Sequence, residues 1–439
     1  MEINLDAEYA SRDEIYQIQS RRLRELVLRC WQHVPFYRKI WAAAGVTPDD
    51  IKEAADIKKL PFVTKQDIVD NLAAHPPFGD FQGDFKSIRI QASTGSTGMP
   101  KPVFHTKADW DNIGRLWVRR LKAQGVKEGD IAQVAFAYTL FVVGFTITEG
   151  LTRVGALVVP TGSGAVTSSE RQLEVAKNWG TTVFCCTGSY MIHLAEVAKQ
   201  VGLDCRKDFS VRLSIHCAEP LTEAMRQEIQ SSWLCKTYDN YGSVETGAPM
   251  YECQFQNGQH INEDAYIYEV LNPETDQEIK PGEYGELVVT TLFKEAAPFI
   301  RYKIGDIASI IPGDCLCGRN FVRMSKIKGR IDEMMKVKGV SVYPTDFEAA
   351  LKKFAVFGSE YLIVINQEKG RDLVELRVEY TGNSEAIDLH RQNLSRELRS
   401  KLGLSCEVAL LPRGALDNEL KAEQRIKYKR VLDLRKKED

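Results

Sequence analysis

The chain has 439 residues, of which 44% are hydrophobic and 27% charged, too long for one ordinary domain and balanced like a globular protein. Its 58 Lys and Arg against 60 Asp and Glu leave a net charge of −2. That excludes the basic surplus a nucleic-acid binder needs to meet phosphates.

The N-terminus, Met1-Glu2-Ile3-Asn4-Leu5-Asp6, is acidic and no apolar stretch follows, so no secretory signal is expected. Residues Ser11 to Ala44 have helical spacing in Ile15, Ile18, Leu23, Leu26, Val27 and Trp31, interrupted at Pro35. A strand is expected from Ser87 to Ala92. The run Leu140 to Thr148 is apolar but far too short to span a bilayer, so no membrane contact is expected.

From the Ser-, Thr- and Gly-rich loop after the Ser87 to Ala92 strand to about residue 235, apolar strands alternate with helical runs. Ile131 to Ala137, Ala156 to Pro160 and Thr182 to Cys186 read as strands. Arg171 to Trp179, Tyr190 to Val201 and Thr222 to Ser231 read as helices. Such alternation predicts an α/β fold with a mostly parallel sheet. Ala265 to Ile311 has shorter alternating strands and turns, hence a more antiparallel β region. After Arg330 comes a small α+β unit, with strands at Leu362 to Asn366 and Leu373 to Tyr380 and helices at Thr345 to Phe354 and Ser384 to Leu402. Ten scattered cysteines in so large a chain suit reduced thiols, and a cytoplasmic location is expected.

The most informative segment is Ser93-Thr94-Gly95-Ser96-Thr97-Gly98-Met99-Pro100-Lys101. Glycines and hydroxyls let backbone N–H groups crowd around an anion, and the lysine adds a full charge. The loop follows a strand, where nucleotide loops of open sheets belong. It does not have Walker spacing. Thr161 to Thr167 also follows a strand, but Thr167 stands where a dinucleotide fingerprint has its third glycine, and an ordinary loop is expected there.

The segment Ser93 to Lys101 resembles the signature of the adenylate-forming enzymes. Tyr241-Gly242-Ser243-Val244-Glu245 resembles their Tyr-Gly-x-x-Glu, and Arg301-Tyr302-Lys303-Ile304-Gly305-Asp306 their Arg-Tyr-x-x-Gly-Asp. Gly329-Arg330-Ile331-Asp332-Glu333 resembles the interdomain hinge. Val34 to Tyr37, Leu60 to Lys65, Ala218-Glu219-Pro220 and Gly339 to Pro344 narrow the resemblance to phenylacetate–coenzyme A ligases. It runs from about residue 20 to the C-terminus.

The resemblance implies a large N-terminal domain, residues 1–331, and a mobile C-terminal domain, residues 332–439, hinged at Asp332. It implies that ATP, a small carboxylic acid and coenzyme A become acyl-CoA, AMP and pyrophosphate. Joining a carboxylate to AMP brings two anions together, so cations and N–H donors must offset the repulsion. The loop residues Ser93, Thr94, Gly95, Ser96, Thr97 and Gly98 with Lys101 would hold the outer phosphates, and Glu245 a Mg²⁺ ion. Asp306 and Arg330 would meet the ribose. Ala218, Glu219 and Pro220 match the adenine-lining residues of the family, as do Asp239, Asn240, Tyr241 and Gly242. Tyr138, Phe141, Phe145 and His216 fall where relatives place the acid, and an aromatic lining suits an aryl or arylacetic acid.

Near the C-terminus, matching backward from Lys429 to Arg435 puts Lys427 at the family's catalytic lysine, although Ile426 precedes it where the family prefers glycine. Lys421 is the rival. The hinge would let Lys427 act first and the Gly339 segment later. Cys253, His260, Cys315 and Cys317 form a Cys₃His set like that of some relatives, and structural zinc is the expectation. The Cys185-Cys186 pair reads as core. An adenylyltransferase with another acyl acceptor and a non-catalytic zinc-stabilised binding protein are the alternatives, and a homodimer stays open.

Overall fold

Short β-branched runs bounded by turn residues cannot bury both faces unless helices cover them, and this requirement sets the architecture. The computed structural model describes residues 2–93, 100–331, 334–337, 340–368, 371–416 and 430–435. Two compact units emerge, residues 1–304 with 308–326 and residues 305–307 with 327–439.

The first unit opens with α1 (Arg12–His33), started by a Ser11/Glu14 capping box. It stops at Val34 because Pro35 begins α2 (Pro35–Ala43). α3 (Lys65–Ala74) follows. β1 (Ser87–Ser93) and β2 (Lys101–Thr106) then form an antiparallel pair, with Ser93 opposite Lys101. The intervening Thr94, Gly95, Ser96, Thr97 and Gly98 lie outside the described residues.

α4 (Lys107–Ala123) leads into the alternating region, which comprises β3 (Ile131–Val134), α5 (Val143–Val154), β4 (Leu157–Val159), α6 (Ser169–Asn178), β5 (Val183–Cys186), α7 (Gly188–Gln200), β6 (Leu213–His216), α8 (Glu223–Trp233) and β7 (Lys236–Asp239). The strands form a parallel sheet in the order β4-β3-β5-β6-β7. β5 is buried at all four positions, so Cys185 and Cys186 are core residues. Residues 161 to 167 form a loop, and α6 begins only at Ser169.

The antiparallel region follows, with β8 (Met250–Glu252), β9 (Gln259–Ile261), β10 (Tyr266–Leu271) and β11 (Gly285–Thr291). β8 pairs with β9, and β10 with β11. β12 (Tyr302–Ala308), β13 (Ile310–Ile311) and β14 (Arg323–Met324) follow, and residues 305–307 of β12 belong to the second unit, where they pair with β15 (Gly329–Arg330).

The second unit adds β16 (Met335–Val337), β17 (Val340–Val342), α9 (Pro344–Leu351), β18 (Phe357–Glu368), β19 (Arg371–Tyr380), α10 (Ile387–Leu402), β20 (Glu407–Leu411) and β21 (Val431–Asp433). The long β18–β19 hairpin is flanked by parallel β21 and β20. Phe347 of α9 and Leu394 and Leu398 of α10 pack on Ile363, Ile365, Leu376 and Val378. Asp332 and Gly339 lie outside the described residues. Among the described residues no helix is long and apolar enough to cross a membrane.

α4 and α5 cross closely because Gly150 has no side chain. A Cβ there would stand 2.4 Å from the Cβ of Trp117, which is itself buried. Gly150→Ala should therefore destabilise the protein by about 1–3 kcal/mol through overpacking, read as a lower denaturant midpoint with an unchanged slope.

Candidate functional site

In an open parallel sheet the carboxyl ends of the strands carry free backbone groups, and ligands gather there. β6 and β7 end side by side, with His216 opposite Asp239. The chain leaves β6 through Ala218, Glu219 and Pro220. Ala218 has φ of +74°, a left-handed conformation costly for a residue with a Cβ. The Glu219 carboxylate accepts from the Ser189 N–H at 2.6 Å.

The β7 end is held by a buried ion pair. Glu252 of β8 accepts from Arg226 of α8 at 2.6 Å and from the Asp239 N–H at 2.7 Å, and Arg226 also donates to the Thr237 carbonyl. Gln259 donates to Asp239 Oδ2 at 3.1 Å and accepts from the Tyr241 N–H at 2.9 Å. Burial, then the Glu252 charge, pushes the Asp239 carboxyl up to about 7. Two residues of α4 complete the frame. Gln124 donates to Asn240 Oδ1 at 2.7 Å, and Arg120 donates to the carbonyls of Tyr241 and Met250 at 3.1 and 2.6 Å. Gly242 fits because a Cβ there would meet the Gly247 carbonyl oxygen at 2.3 Å. Arg120, Gln124, Arg226, Glu252 and Gln259 were not singled out from the sequence. No pattern distinguishes them from solvated polar residues until the fold buries them.

That loop delivers Glu245. Its carboxylate faces the ammonium of Lys101 on β2 at 3.5 Å, and both side chains are largely buried. The pair spans 144 residues of sequence. A second cation, Lys294, is buried nearby, and among the described residues its Nζ has no hydrogen-bond partner. Burial lowers it to about 8, opposed by the charges of Asp109 and Glu245. Lys294 was also missed, being one of many lysines in sequence.

Tyr138 and Phe145 meet edge-on at 5.2 Å, and the Tyr138 hydroxyl bonds Thr148 Oγ1 at 2.7 Å. Phe141 lies between them in sequence, in the turn before α5. His216 has a different setting. It is fully buried, with Nδ1 at 2.9 Å from the Cys186 carbonyl and Nε2 at 3.0 Å from Ser214 Oγ. Both ring nitrogens are occupied by the protein. Within the second unit, Asp306 of β12 stands opposite Arg330 of β15, their side chains 2.9 Å apart. Lys421 and Lys427 lie outside the described residues.

Cys253, His260, Cys315 and Cys317 converge, with one ligand atom from each within 4.8 Å of the others. Cys253 Sγ is 3.7 Å from Cys315 Sγ, and Cys317 Sγ is 3.3 Å from His260 Nε2. His260 Nδ1 lies 3.0 Å from the Phe321 carbonyl, which orients the ring and leaves Nε2 toward the thiols.

Residues 87–292 match the family model described as AMP-binding enzyme, and residues 339–435 the one described as AMP-binding enzyme C-terminal domain. A phenylacetate-coenzyme A ligase of Thermus thermophilus is 34% identical, with 98% of this chain and 99% of that protein covered. One from Escherichia coli is also 34% identical, covering 93% of each. A crystal structure of 2-hydroxyisobutyryl-CoA ligase in the postadenylation state superposes with a TM-score of 0.89 at 28% identity, covering 98% of this chain and 91% of that one.

Burial lowers His216 to about 4, below its ordinary 6.5. The unfolded state therefore binds the extra proton first. The ring's contribution is full above pH 6.5 and is lost as pH falls toward 4. His216→Asn should flatten the dependence of unfolding free energy on pH across that window by about 1.4 kcal/mol per pH unit. Unfolding series at several pH values would read it, and an unchanged slope would refute the assignment.

Proposed function

Since this chain belongs to the phenylacetate–coenzyme A ligase family and is an AMP-forming acid–CoA ligase working through an acyl-adenylate, we propose that its acid is an aryl or arylacetic acid. The observation that carries the residue assignments is the buried Lys101–Glu245 pair. An ammonium and a carboxylate taken out of water neutralise each other, and each has a better partner in the reaction. Lys101, with the loop before it, turns to the outer phosphates of ATP. Glu245 is a hard oxygen donor beside a polyphosphate, which fits Mg²⁺. That ion, when bound, would offset phosphate charge.

The acid's carboxylate oxygen attacks the α-phosphorus, the bond to the bridging oxygen breaks, and pyrophosphate leaves. Lys427 stabilises the charge of this step. The thiol of coenzyme A then attacks the acyl carbon, giving up its proton, and AMP leaves. Asp306 and Arg330 hold the ribose. The stretches Ala218 to Pro220 and Asp239 to Gly242 hold the adenine. The domain boundary near Asp332 acts as the hinge that exchanges Lys427 for the Gly339 segment between half-reactions.

The aromatic set Tyr138, Phe141 and Phe145 supports an aryl substrate. With both ring nitrogens occupied, His216 supports the pocket as packing. Similarity to the 2-hydroxyisobutyryl-CoA ligase structure makes a small branched hydroxy acid the second reading. Initial rates of AMP release with CoA present, across phenylacetate, benzoate and 2-hydroxyisobutyrate, separate the two. A preference for 2-hydroxyisobutyrate would overturn the aryl reading.

Zinc in the Cys253, His260, Cys315 and Cys317 site is proposed as structural. Bonds of about 2.3 Å from a tetrahedral ion to sulfur separate two thiolates by about 3.8 Å, close to the spacing of Cys253 and Cys315. Four protein ligands leave no open position for chemistry. Gently purified protein should contain one zinc per chain by elemental analysis. Cys315→Ser should lose it together with several degrees of unfolding temperature. Metal-free protein of full stability would remove the claim.

Glu245→Gln should keep the fold and lose most acid-dependent exchange of pyrophosphate into ATP. Lys427→Ala should slow AMP formation by two or more orders of magnitude, about 3 kcal/mol of transition-state stabilisation, yet still form thioester from supplied acyl-adenylate and CoA. Lys421→Ala is the control and should affect neither step strongly. The opposite result for the two lysines would reassign the catalytic position.

A further inference from the structure

β1 carries Arg89 and Gln91 on one face, while Ile88 and Ile90 on the other are exposed. The Gln91 side-chain amide donates to the Leu140 and Phe141 carbonyls at 2.8 Å, and the Ala92 N–H donates to Leu140 at 2.9 Å. The segment that carries Tyr138, Phe141 and Phe145 is thereby fastened to β1. Two residues away, the Arg89 guanidinium lies 4.1 Å from the Trp110 ring centroid and 4.8 Å from that of Phe145. Phe145 meets Tyr138, and Trp110 meets His105 at 5.6 Å.

A guanidinium packed against aromatic rings keeps its donors in its own plane. Among the described residues Arg89 has no hydrogen-bond or ion-pair partner for those donors. Among the described residues the surroundings supply no spare counter-charge. His105 is fully buried, and neither of its nitrogens has a partner among them. The Asp109 carboxylate is taken by the N–H groups of Thr106, Glu295 and Ala296 at 2.7–3.1 Å. Glu295 accepts from the Thr106 hydroxyl at 2.8 Å. The wall therefore combines aromatic surface with unmatched in-plane donors and a positive charge. Its complement is an aromatic ring bearing an anionic acceptor.

We propose that Arg89 is a specificity-determining residue that selects aryl acids carrying a second carboxylate on the ring, distal to the one that is activated. This rests on the reading of Tyr138, Phe141 and Phe145 as the acid pocket. A charge-assisted hydrogen bond in a half-buried, aromatic setting is worth about tenfold or more in kcat/KM. The alternative, that Arg89 binds the reacting carboxylate, predicts equal loss for every acid.

The experiment compares kcat/KM for AMP release from phenylacetate with that from meta- and para-carboxyphenylacetate, CoA being present. The wild-type protein should prefer the better carboxy derivative by about tenfold or more. Arg89→Met should cut that acid about tenfold further than it cuts phenylacetate. A wild-type ratio at or below one overturns the proposal whether or not the variant folds. So does an Arg89→Met protein that loses both acids equally or neither. Turnover of 2-hydroxyisobutyrate but of no aryl acid would instead bring down the pocket reading itself, and this proposal with it.

Discussion

The buried ion pair between Arg226 and Glu252 is the contact on which the site's frame rests. Both side chains are almost wholly out of water, so the cost of burying each charge is offset only by the other. Removing either partner leaves an uncompensated buried charge, typically a loss of 3–5 kcal/mol. Glu252 also receives the Asp239 N–H, and Arg226 reaches the Thr237 carbonyl, so one pair ties α8, β7 and β8 together where the sheet ends. The loop that begins there then has little freedom. Its next residues are held by Gln259, Gln124 and Arg120, and Gly242 leaves just enough room for the chain to turn toward Glu245.

The site is thus built by charges that the fold has already desolvated. An acid–CoA ligase must bring a carboxylate up to a polyphosphate, and cations fixed in a low-dielectric setting oppose the repulsion without reorganising. Lys101 and Lys294 have this character, the first matched to Glu245 and the second without a hydrogen bond among the described residues. Charges so buried are poor contributors to stability, and in the proposed reading they are kept for chemistry.

The N-terminal segment and the Cys₃His cluster are joined by the same kind of network. Glu8 bonds the Tyr251 hydroxyl and accepts from Arg319 at 2.7 Å, and Arg119 is buried against Asp264 at 2.8 Å. Asn320 donates its N–H to the Glu8 carbonyl at 2.8 Å, so the turn after Cys317 is fastened to the start of the chain. The cluster of Cys253, His260, Cys315 and Cys317 therefore sits beside a hydrogen-bonded network reaching back to residue 8.

Much of this was legible in sequence because it depends on local rules. Alternation of β-branched runs with helical spacing located the parallel sheet, Pro35 located the break between α1 and α2, and loop and motif spacing located Lys101 and Glu245. These signals survive in one dimension because a strand, a cap or a phosphate loop imposes its demands on neighbouring residues. His216 shows the opposite case. Its position at a strand end was readable, but whether its ring faced a ligand or the core depended on Ser214 and the Cys186 carbonyl. Arg120, Gln124, Arg226 and Lys294 look like solvated charges and amides until distant segments cover them, and Arg89 acquires its aromatic neighbours only when α4 and α5 pack on β1. The sequence alone determined which elements form and which motifs they carry. Burial and charge pairing were decided only by the tertiary structure, because desolvation is set by what lies close in space rather than in the chain.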